Sequence, residues 1–300
     1  MEWTEGLKKA IDFMENHLQD DISAEDVANE VNISSFYLQR GFKIMTGYSI
    51  GEYLRCRRLY MAALDVIANR EKVIDLAYKY GYDTPESFTK AFTRFHGASP
   101  MQLRKDCRKV KTFLPLKIVV SIQGGNDMDF TVEKMNGFQV IGFERRFTAE
   151  DSYARIPEFW DECCNHKQSW CMKDLWNGKA PETPVEKAIC DCKVGEFGIC
   201  IDDTGVPGEF RYMIAGTYHG GEVPEGMTVF EFPDMEWAKF RCCGPMPGSL
   251  QSVNTRIFNE WLPGNPDYEI AMGANIEWYD KGDTGAADYE SAIWIPVKRK

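Results

Sequence analysis

The feature that most constrains this chain is a repeat within its first hundred residues. Ser23-Ala24-Glu25-Asp26 has the form of a capping box, and the helix over 24–31 that follows would bury Val27, Ala28 and Val31. Asn32-Ile33-Ser34 then predicts a tight turn, with a third helix from Ser35 carrying Leu38, Phe42 and Met45 inward. About fifty residues later the same order returns. Ala77 matches Ala28, Gly81-Tyr82-Asp83 matches Asn32-Ile33-Ser34, and Phe88, Phe92 and Phe95 repeat the spacing of Leu38, Phe42 and Met45. Gly97-Ala98-Ser99 matches Gly47-Tyr48-Ser49, and Leu103-Arg104 matches Leu54-Arg55. Helix, short turn, helix, with a small Ala near the crossing, is the helix-turn-helix plan. A shared register over that many positions makes it a tandem pair.

Leu7, Ala10, Ile11, Met14 and Leu18 form the stripe of a preceding helix. Between the two units, residues 50–69 predict one long amphipathic helix through Tyr53, Leu54, Leu59, Ala62, Ala63, Val66 and Ile67. About twenty residues at ~1.5 Å each span roughly 30 Å. Successive major-groove faces on one side of B-DNA lie about 34 Å apart. A rigid helix of that length suits two recognition helices one turn apart, reading a duplex without a dimer.

The net charge of −11 alone would argue against nucleic acid, but it is an average of unlike halves. Residues 1–120 hold 18 Lys and Arg against 16 Asp and Glu, whereas 121–300 hold 17 against 30. Trp3 is the sole tryptophan of the first part, and the other seven lie in the second. A basic run, Arg104-Lys105-Asp106-Cys107-Arg108-Lys109-Val110-Lys111, leads into Phe113-Leu114-Pro115-Leu116 and a Gly124–Asp127 segment. The chain divides accordingly into an all-α domain at 1–111, a linker at 112–127 and an α+β domain at 128–300. No stretch approaches ~18 uninterrupted apolar residues, so no membrane span is expected. The start, Met1-Glu2-Trp3-Thr4-Glu5, has no secretion-signal pattern, and with ten cysteines the expectation is a reduced, cytoplasmic protein. Cys163, Cys164, His166 and Cys171 cluster in sequence. Adjacent cysteines on a helix point about 100° apart and share a tetrahedral ion poorly, so buried thiols are expected instead of a metal site.

In the second part, Asp129–Glu133 and Phe138–Glu144 alternate as two strands around an Asn136-Gly137 hairpin turn. A helix follows at about 152–167 with Ile156, Phe159, Trp160 and Cys163 inward, then strands at 197–201 and 211–216. The order restarts with strands at 227–231 and 237–241, a helix near 248–261, and strands near 268–278 and 290–297. The plan is strand-strand-helix-strand-strand, twice.

Two resemblances attach to these residues. Leu54-Arg-Cys-Arg-Arg-Leu59, Ile74-Asp-Leu-Ala-Tyr-Lys-Tyr-Gly-Tyr82 and Phe88-Thr-Lys-Ala-Phe-Thr-Arg-Phe-His-Gly-Ala-Ser-Pro100 resemble the DNA-binding domain of the AraC/XylS regulators. That resemblance implies DNA contacts from Ser35, Phe36, Gln39 and Arg40 in the first unit, and from Thr84, Glu86, Ser87, Thr89 and Lys90 in the second. The chemistry agrees: Gln39 suits adenine N6/N7 and Arg40 guanine O6/N7, while Lys43, Lys90, Arg94 and the 104–111 run suit phosphates. Ile156-Pro-Glu-Phe-Trp160, Phe197-Gly-Ile199, Glu260-Trp-Leu-Pro263 and Ile293-Trp-Ile-Pro-Val297 resemble the GyrI-like effector-binding domain. It implies a cleft lined by aromatics, with a carboxylate for a cationic ligand. The family's acid before the Ile-Trp-Ile-Pro run is replaced here by Ala292, with Glu290 two residues earlier.

Trp160, Tyr212 and Trp294 offer stacking and cation–π surfaces of about 0.5–2 kcal/mol each, and Glu277 or Glu290 could balance a buried cation. Trp160 and Trp261 also read as equivalent core residues of the two repeats. The expected function is a bacterial transcription regulator that binds promoter DNA through the first domain and a small effector, a lipophilic cation for example, through the second. RNA polymerase is a further partner if the protein activates. No cofactor is indicated. The alternatives are a hydrolase of small reactive compounds or a protein-interaction module. The hydrolase reading is the poorer, with four histidines and no Ser-His-Asp arrangement or phosphate-cradling glycine loop.

Overall fold

A computed structural model describes residues 3–68, 71–107, 110–118, 128–148, 151–165, 168–206 and 208–300, with only the backbone at Tyr153. Arg108, Lys109, Gly124–Asp127 and His166 lie outside the described residues. Seven helices come first: α1 (Trp3–Asn16), α2 (Ala24–Val31), α3 (Ser35–Thr46), α4 (Ile50–Ala68), α5 (Val73–Lys79), α6 (Pro85–His96) and α7 (Pro100–Lys105). Then come β1 (Phe130–Met135), β2 (Phe138–Thr148), α8 (Ser152–Cys164), α9 (Met172–Trp176), α10 (Pro184–Asp191), β3 (Phe197–Ile201) and β4 (Glu209–Tyr218). The last part holds β5 (Thr228–Phe232), β6 (Met235–Cys243), α11 (Gly248–Arg256), a π turn (Ile257–Trp261), α12 (Leu262–Gly264), β7 (Tyr268–Ile270), β8 (Ala274–Tyr279) and β9 (Glu290–Arg299). Among the described residues no helix is long and apolar enough to cross a membrane. The chain forms two compact units, one of Trp3–Ile33 and Thr46–Ile122, the other of Ser34–Met45 and Gln123–Lys300. The helix α3 therefore belongs to the unit that contains the sheet.

In the helical unit, Ser23 and Asp26 form the expected capping box: the Ser23 N–H donates to Asp26 Oδ2 at 2.8 Å and the Asp26 N–H to Ser23 Oγ at 3.2 Å. Asn32 ends α2 in the left-handed region at φ 52°, a conformation that Asn tolerates better than most residues. Arg57, buried on α4, pairs with Glu15 at 2.7 Å, and the Tyr53 hydroxyl donates to the same carboxylate at 2.6 Å. These bonds tie α1 to α4. Leu59, Ala62, Ala63 and Val66 of α4 pack with Leu76, Ala77, Tyr80, Phe88, Phe92 and Leu103 into one core. The second repeat thus folds around the linking helix, on the apolar positions that the sequence periodicity marks.

The other unit is built on a single antiparallel sheet in the order β1-β6-β9-β8-β3-β4-β2-β5, with β7 pairing β9. Exchanging the two repeats, β1 for β5, β2 for β6, β4 for β9 and β3 for β8, reproduces that order in reverse. The duplication is therefore an internal two-fold about the β3–β8 pair. Each repeat places its first strand on the other: β1 pairs β6, and β5 pairs β2. This corrects the expected Asn136-Gly137 hairpin. Both edges of β2 are occupied, by β4 and β5, so β1 cannot pair with it. The Gly137 N–H instead donates to Asp234 Oδ1 at 2.6 Å, across the repeats.

Three further boundaries differ from expectation. The predicted strand at 268–278 is two strands, with the Ala271 N–H donating to the Pro296 carbonyl at 2.9 Å between them. The helix expected over 152–167 ends at Cys164. The helices α9 and α10 were not anticipated, although Thr183 and Glu186 form a capping box at the start of α10. In the ladders, Phe197, Ile199 and Ile201 share a face with Met213, Ala215, Ala274 and Ile276, closed by Phe232 and Trp237. The opposite face carries helices: Phe159 of α8 packs near Phe147 at 6.2 Å, and Trp261 packs edge-on against Phe240 at 4.9 Å.

Candidate nucleic-acid interface and ligand site

In the helical unit, Thr84 caps α6 by accepting from the Ser87 N–H at 3.1 Å, and Pro85 occupies the first turn, where its missing N–H costs nothing. Burial of Phe88 and Phe92 turns the other face of the helix outward. Thr84, Glu86, Ser87, Lys90 and Arg94 are exposed and Thr89 is half-buried, so the residues expected to read DNA lie along one open surface. Pro85, Glu86, Thr89, Lys90 and Thr93 line a shallow groove there. Two members of the basic run have local structural partners. Arg104 donates to the carbonyls of Val66 and Glu71, and the Lys111 ammonium lies 4.8 Å from the centre of the Phe95 ring.

At the end of α6, His96 is buried with Nε2 3.1 Å from the Leu59 carbonyl. The Lys111 N–H donates to its Nδ1 at 3.1 Å, which leaves the proton on Nε2. Burial holds its pKa below the ordinary histidine value.

The helix α3 has different surroundings. Asp202, just after β3, accepts at Oδ2 from the Ser34 hydroxyl at 2.8 Å and from the Phe36 N–H at 3.0 Å. A carboxylate thus serves one first-turn N–H and the positive dipole end of α3. Ser35 and Phe36 are buried, Phe36 against Phe210 with ring centres 5.3 Å apart, and Gln39 Nε2 donates to Ser35 Oγ at 3.0 Å. The Tyr37 hydroxyl donates to the Ala274 carbonyl at 2.5 Å. Arg40 reaches the sheet, donating to Asn275 Oδ1 at 3.3 Å and to Glu277 Oε1 at 3.4 Å. The Arg40 and Glu277 side chains are only 18% and 14% exposed, and Lys43 is half-buried.

Strand alternation sets what surrounds that guanidinium. Cys200 stands opposite Tyr212 and Asn275, and Gly198 stands opposite Glu277. These residues therefore share the helix-covered face. The Tyr279 hydroxyl donates to Glu277 Oε2 at 2.8 Å, and Trp160 of α8 donates from Nε1 to the Tyr212 hydroxyl at 2.9 Å. Trp160 also meets Tyr279 edge-on at 5.5 Å. Gly198 makes the arrangement possible, since a Cβ there would lie 2.3 Å from the Tyr212 hydroxyl.

Burial, with the Glu277 charge second, holds both tyrosines protonated well above the usual phenol range. Burial likewise pushes the Cys200 thiol up to about 12. Asn275 is 3% exposed, and its Nδ2 has no partner among the described residues. The site offers one carboxylate, a carbonyl oxygen and aromatic walls, a set suited to a flat cation.

Of the residues expected to hold an effector, Trp160, Tyr212 and Glu277 come together here. Trp294 and Glu290 are on the opposite face: Trp294 pairs with Lys239 and Ile276, with the Lys239 ammonium 4.2 Å from the ring centre, and Glu290 pairs with Arg241. Sequence reasoning missed Asp202, Asn275 and Tyr279. The alternation Asn275-Ile-Glu-Trp-Tyr279 does place Asn275 and Tyr279 on the face of Glu277. Cys163 is buried and its thiol is pushed up to about 12 by burial, while Cys171 donates to the Cys164 carbonyl at 2.8 Å. Among the described residues no group of His, Cys, Asp and Glu is arranged to hold a metal.

Residues 131–297 match the family of integron-associated effector binding proteins, and residues 27–106 match a helix-turn-helix domain family. The chain is similar to the HTH-type transcriptional regulator YbfP of Bacillus subtilis, 33% identical over 100 residues that make up 33% of this chain and 34% of that protein. The chain thus spans about a third of the length of that curated relative. It is also similar to the HTH-type transcriptional activator AarP of Providencia stuartii, 34% identical over 98 residues, 33% of this chain and 73% of AarP. Among solved structures, SAV2435 bound to tetraphenylphosphonium matches at 21% identity with a TM-score of 0.45, covering 57% of this chain and 94% of that one. By residues 131–297 the chain belongs to the integron-associated effector binding proteins, and by residues 27–106 it carries an AraC-type helix-turn-helix domain.

Proposed function

We propose that this protein is a bacterial transcription regulator, read out on promoter DNA through α3 and α6 and responsive to a small molecule held on the helix-covered face of its sheet. The observation that carries the DNA part is α6, capped by Thr84 and anchored by Phe88 and Phe92, with Ser87, Lys90 and Arg94 open to solvent. Ser35, Phe36, Gln39, Arg40 and Lys43 are the corresponding candidates on α3, and Thr84, Glu86 and Thr89 complete the set on α6. Lys90 and Arg94 would contact phosphates. The ligand part rests on Glu277, Tyr212 and Trp160, which together suit a lipophilic cation. Trp294 and Glu290 would then bear on a ligand indirectly, from the far face. The DNA-reading part would occupy 1–111 and the ligand part 128–300, joined by 112–127, in the cytoplasm, with RNA polymerase as a partner if the protein activates. On this reading the site retains its ligand and does not turn it over.

The test is selection of a duplex from a random pool by the full chain, followed by titration at several salt concentrations. Lys90→Ala should weaken binding to all sequences alike and reduce the salt slope by about 1. No enrichment of any sequence would refute the DNA reading. Tryptophan fluorescence titrated with lipophilic cations tests the ligand reading, and an unchanged signal across the panel would refute it.

A further inference from the structure

We infer that α3 occupies the ligand site of its own chain, with the Arg40 guanidinium in the place of a flat amidinium- or guanidinium-type cation that would release the helix for DNA. This rests on the proposed function and assigns the regulation and ligand class of the same site. Two observations support it. Arg40 donates to both acceptors that the site presents, Asn275 Oδ1 and Glu277 Oε1, and both side chains of that ion pair are largely withdrawn from solvent. The docking is specified along the helix and not at one point: Asp202 accepts from Ser34 and Phe36, Tyr37 donates to Ala274, and Phe36 meets Phe210.

Phe36 and Arg40, which help hold α3 on the sheet, are also expected to contact DNA. Ser35 and Phe36 are buried, and one guanidinium cannot pair both Glu277 and a guanine edge. Docking and base reading are therefore alternative uses of one helix surface. A cation that binds Glu277 better when α3 is away shifts the balance toward the DNA-competent arrangement, by no more than its differential affinity.

The experiment uses the full chain and benzamidinium, a flat aromatic amidinium, as probe. Hydrogen exchange over residues 35–46 is measured for wild type, Glu277→Gln, Asp202→Asn and the far-face control Glu290→Gln. Exchange there should rise severalfold in the first two variants, and in wild type with benzamidinium. It should not rise in Glu290→Gln, and benzamidinium should have no further effect on Glu277→Gln. Unchanged exchange in both Glu277→Gln and Asp202→Asn overturns the docking, whatever the protein does with DNA. A response of the variants without any response to benzamidinium overturns the ligand class. On a duplex selected with wild type, Glu277→Gln should bind about fivefold tighter or more, and equal or weaker binding with raised exchange overturns the autoinhibition. If no duplex can be selected with wild type or Glu277→Gln, autoinhibition falls with the DNA reading, while the exchange data still decide the docking.

Discussion

The helices α3 and α6 occupy equivalent places in a sequence repeat, yet their surfaces meet different surroundings. The start of α6 is capped from within the repeat by Thr84, and its polar face is open. The start of α3 is served by Asp202, more than a hundred and sixty residues away, and its first turn is buried. Repeat register therefore fixes which residues form a helix and leaves open what covers its outer face. The surface of α6 suits a partner that is another molecule, whereas the surface of α3 already has one within the chain.

That contrast can be broken by substitution. The largest effect is expected from Phe92→Ala, which empties a fully buried position in the core around α4 and should cost about 3–5 kcal/mol. Because seven of eight tryptophans lie beyond residue 120, fluorescence reports on the sheet unit while far-UV circular dichroism is weighted to the helices. The dichroism transition should fall in temperature with the fluorescence transition little moved. Equal shifts of both would show that the two units melt as one. Gly198→Ala comes next, at about 1–3 kcal/mol, because the new methyl must displace the Tyr212 hydroxyl. It should lower the fluorescence transition and perturb Trp160, which donates to that hydroxyl. Smaller still are the two caps, Thr84→Ala and Asp202→Ala, each about 1 kcal/mol. Thr84→Ala should act on the helical transition, and Asp202→Ala on the transition of the sheet unit. If Asp202→Ala lowered only the helical transition, the environment assigned to α3 would be wrong.

The sequence made the helices legible because each has its own local signals. The capping box at Ser23, the Pro85 start and the apolar spacing of Phe88 and Phe92 all lie within one element. The strands were legible one at a time, by alternation. Their partners were not: Phe130–Met135 pairs with residues a hundred or more positions away, and no local pattern records that β5 and not β1 takes the free edge of β2. The same limit applies to the site. Glu277, Tyr212 and Trp160 are recognisable by residue type, but their assembly, and the separation of Trp294 and Glu290, depend on the ladder register. Arg40 was legible as a cation for DNA. Its carboxylate partner lies 237 residues further along the chain, beyond the reach of periodicity.

The smallest effect concerns pH, and it too separates the two helices. His96 closes α6 as a neutral ring, with Nε2–H directed at the Leu59 carbonyl and Nδ1 accepting from Lys111, between the Phe92 and Phe95 rings. Burial disfavours its charged form, and the positive charge of the Lys111 ammonium acts in the same direction, so its folded pKa lies below the ordinary value of about 6.5. The unfolded chain then binds the proton more readily. Stability from this residue is fully present above the ordinary histidine pKa and declines as pH falls from there toward the folded pKa. The helical transition should accordingly drop in temperature between neutral pH and mildly acid pH, and His96→Gln, which keeps an N–H donor, should flatten that dependence. The arginine of α3 stays charged throughout the same window. A pH dependence in the helical transition that survives in His96→Gln would assign it to other groups and remove this distinction between the two helices.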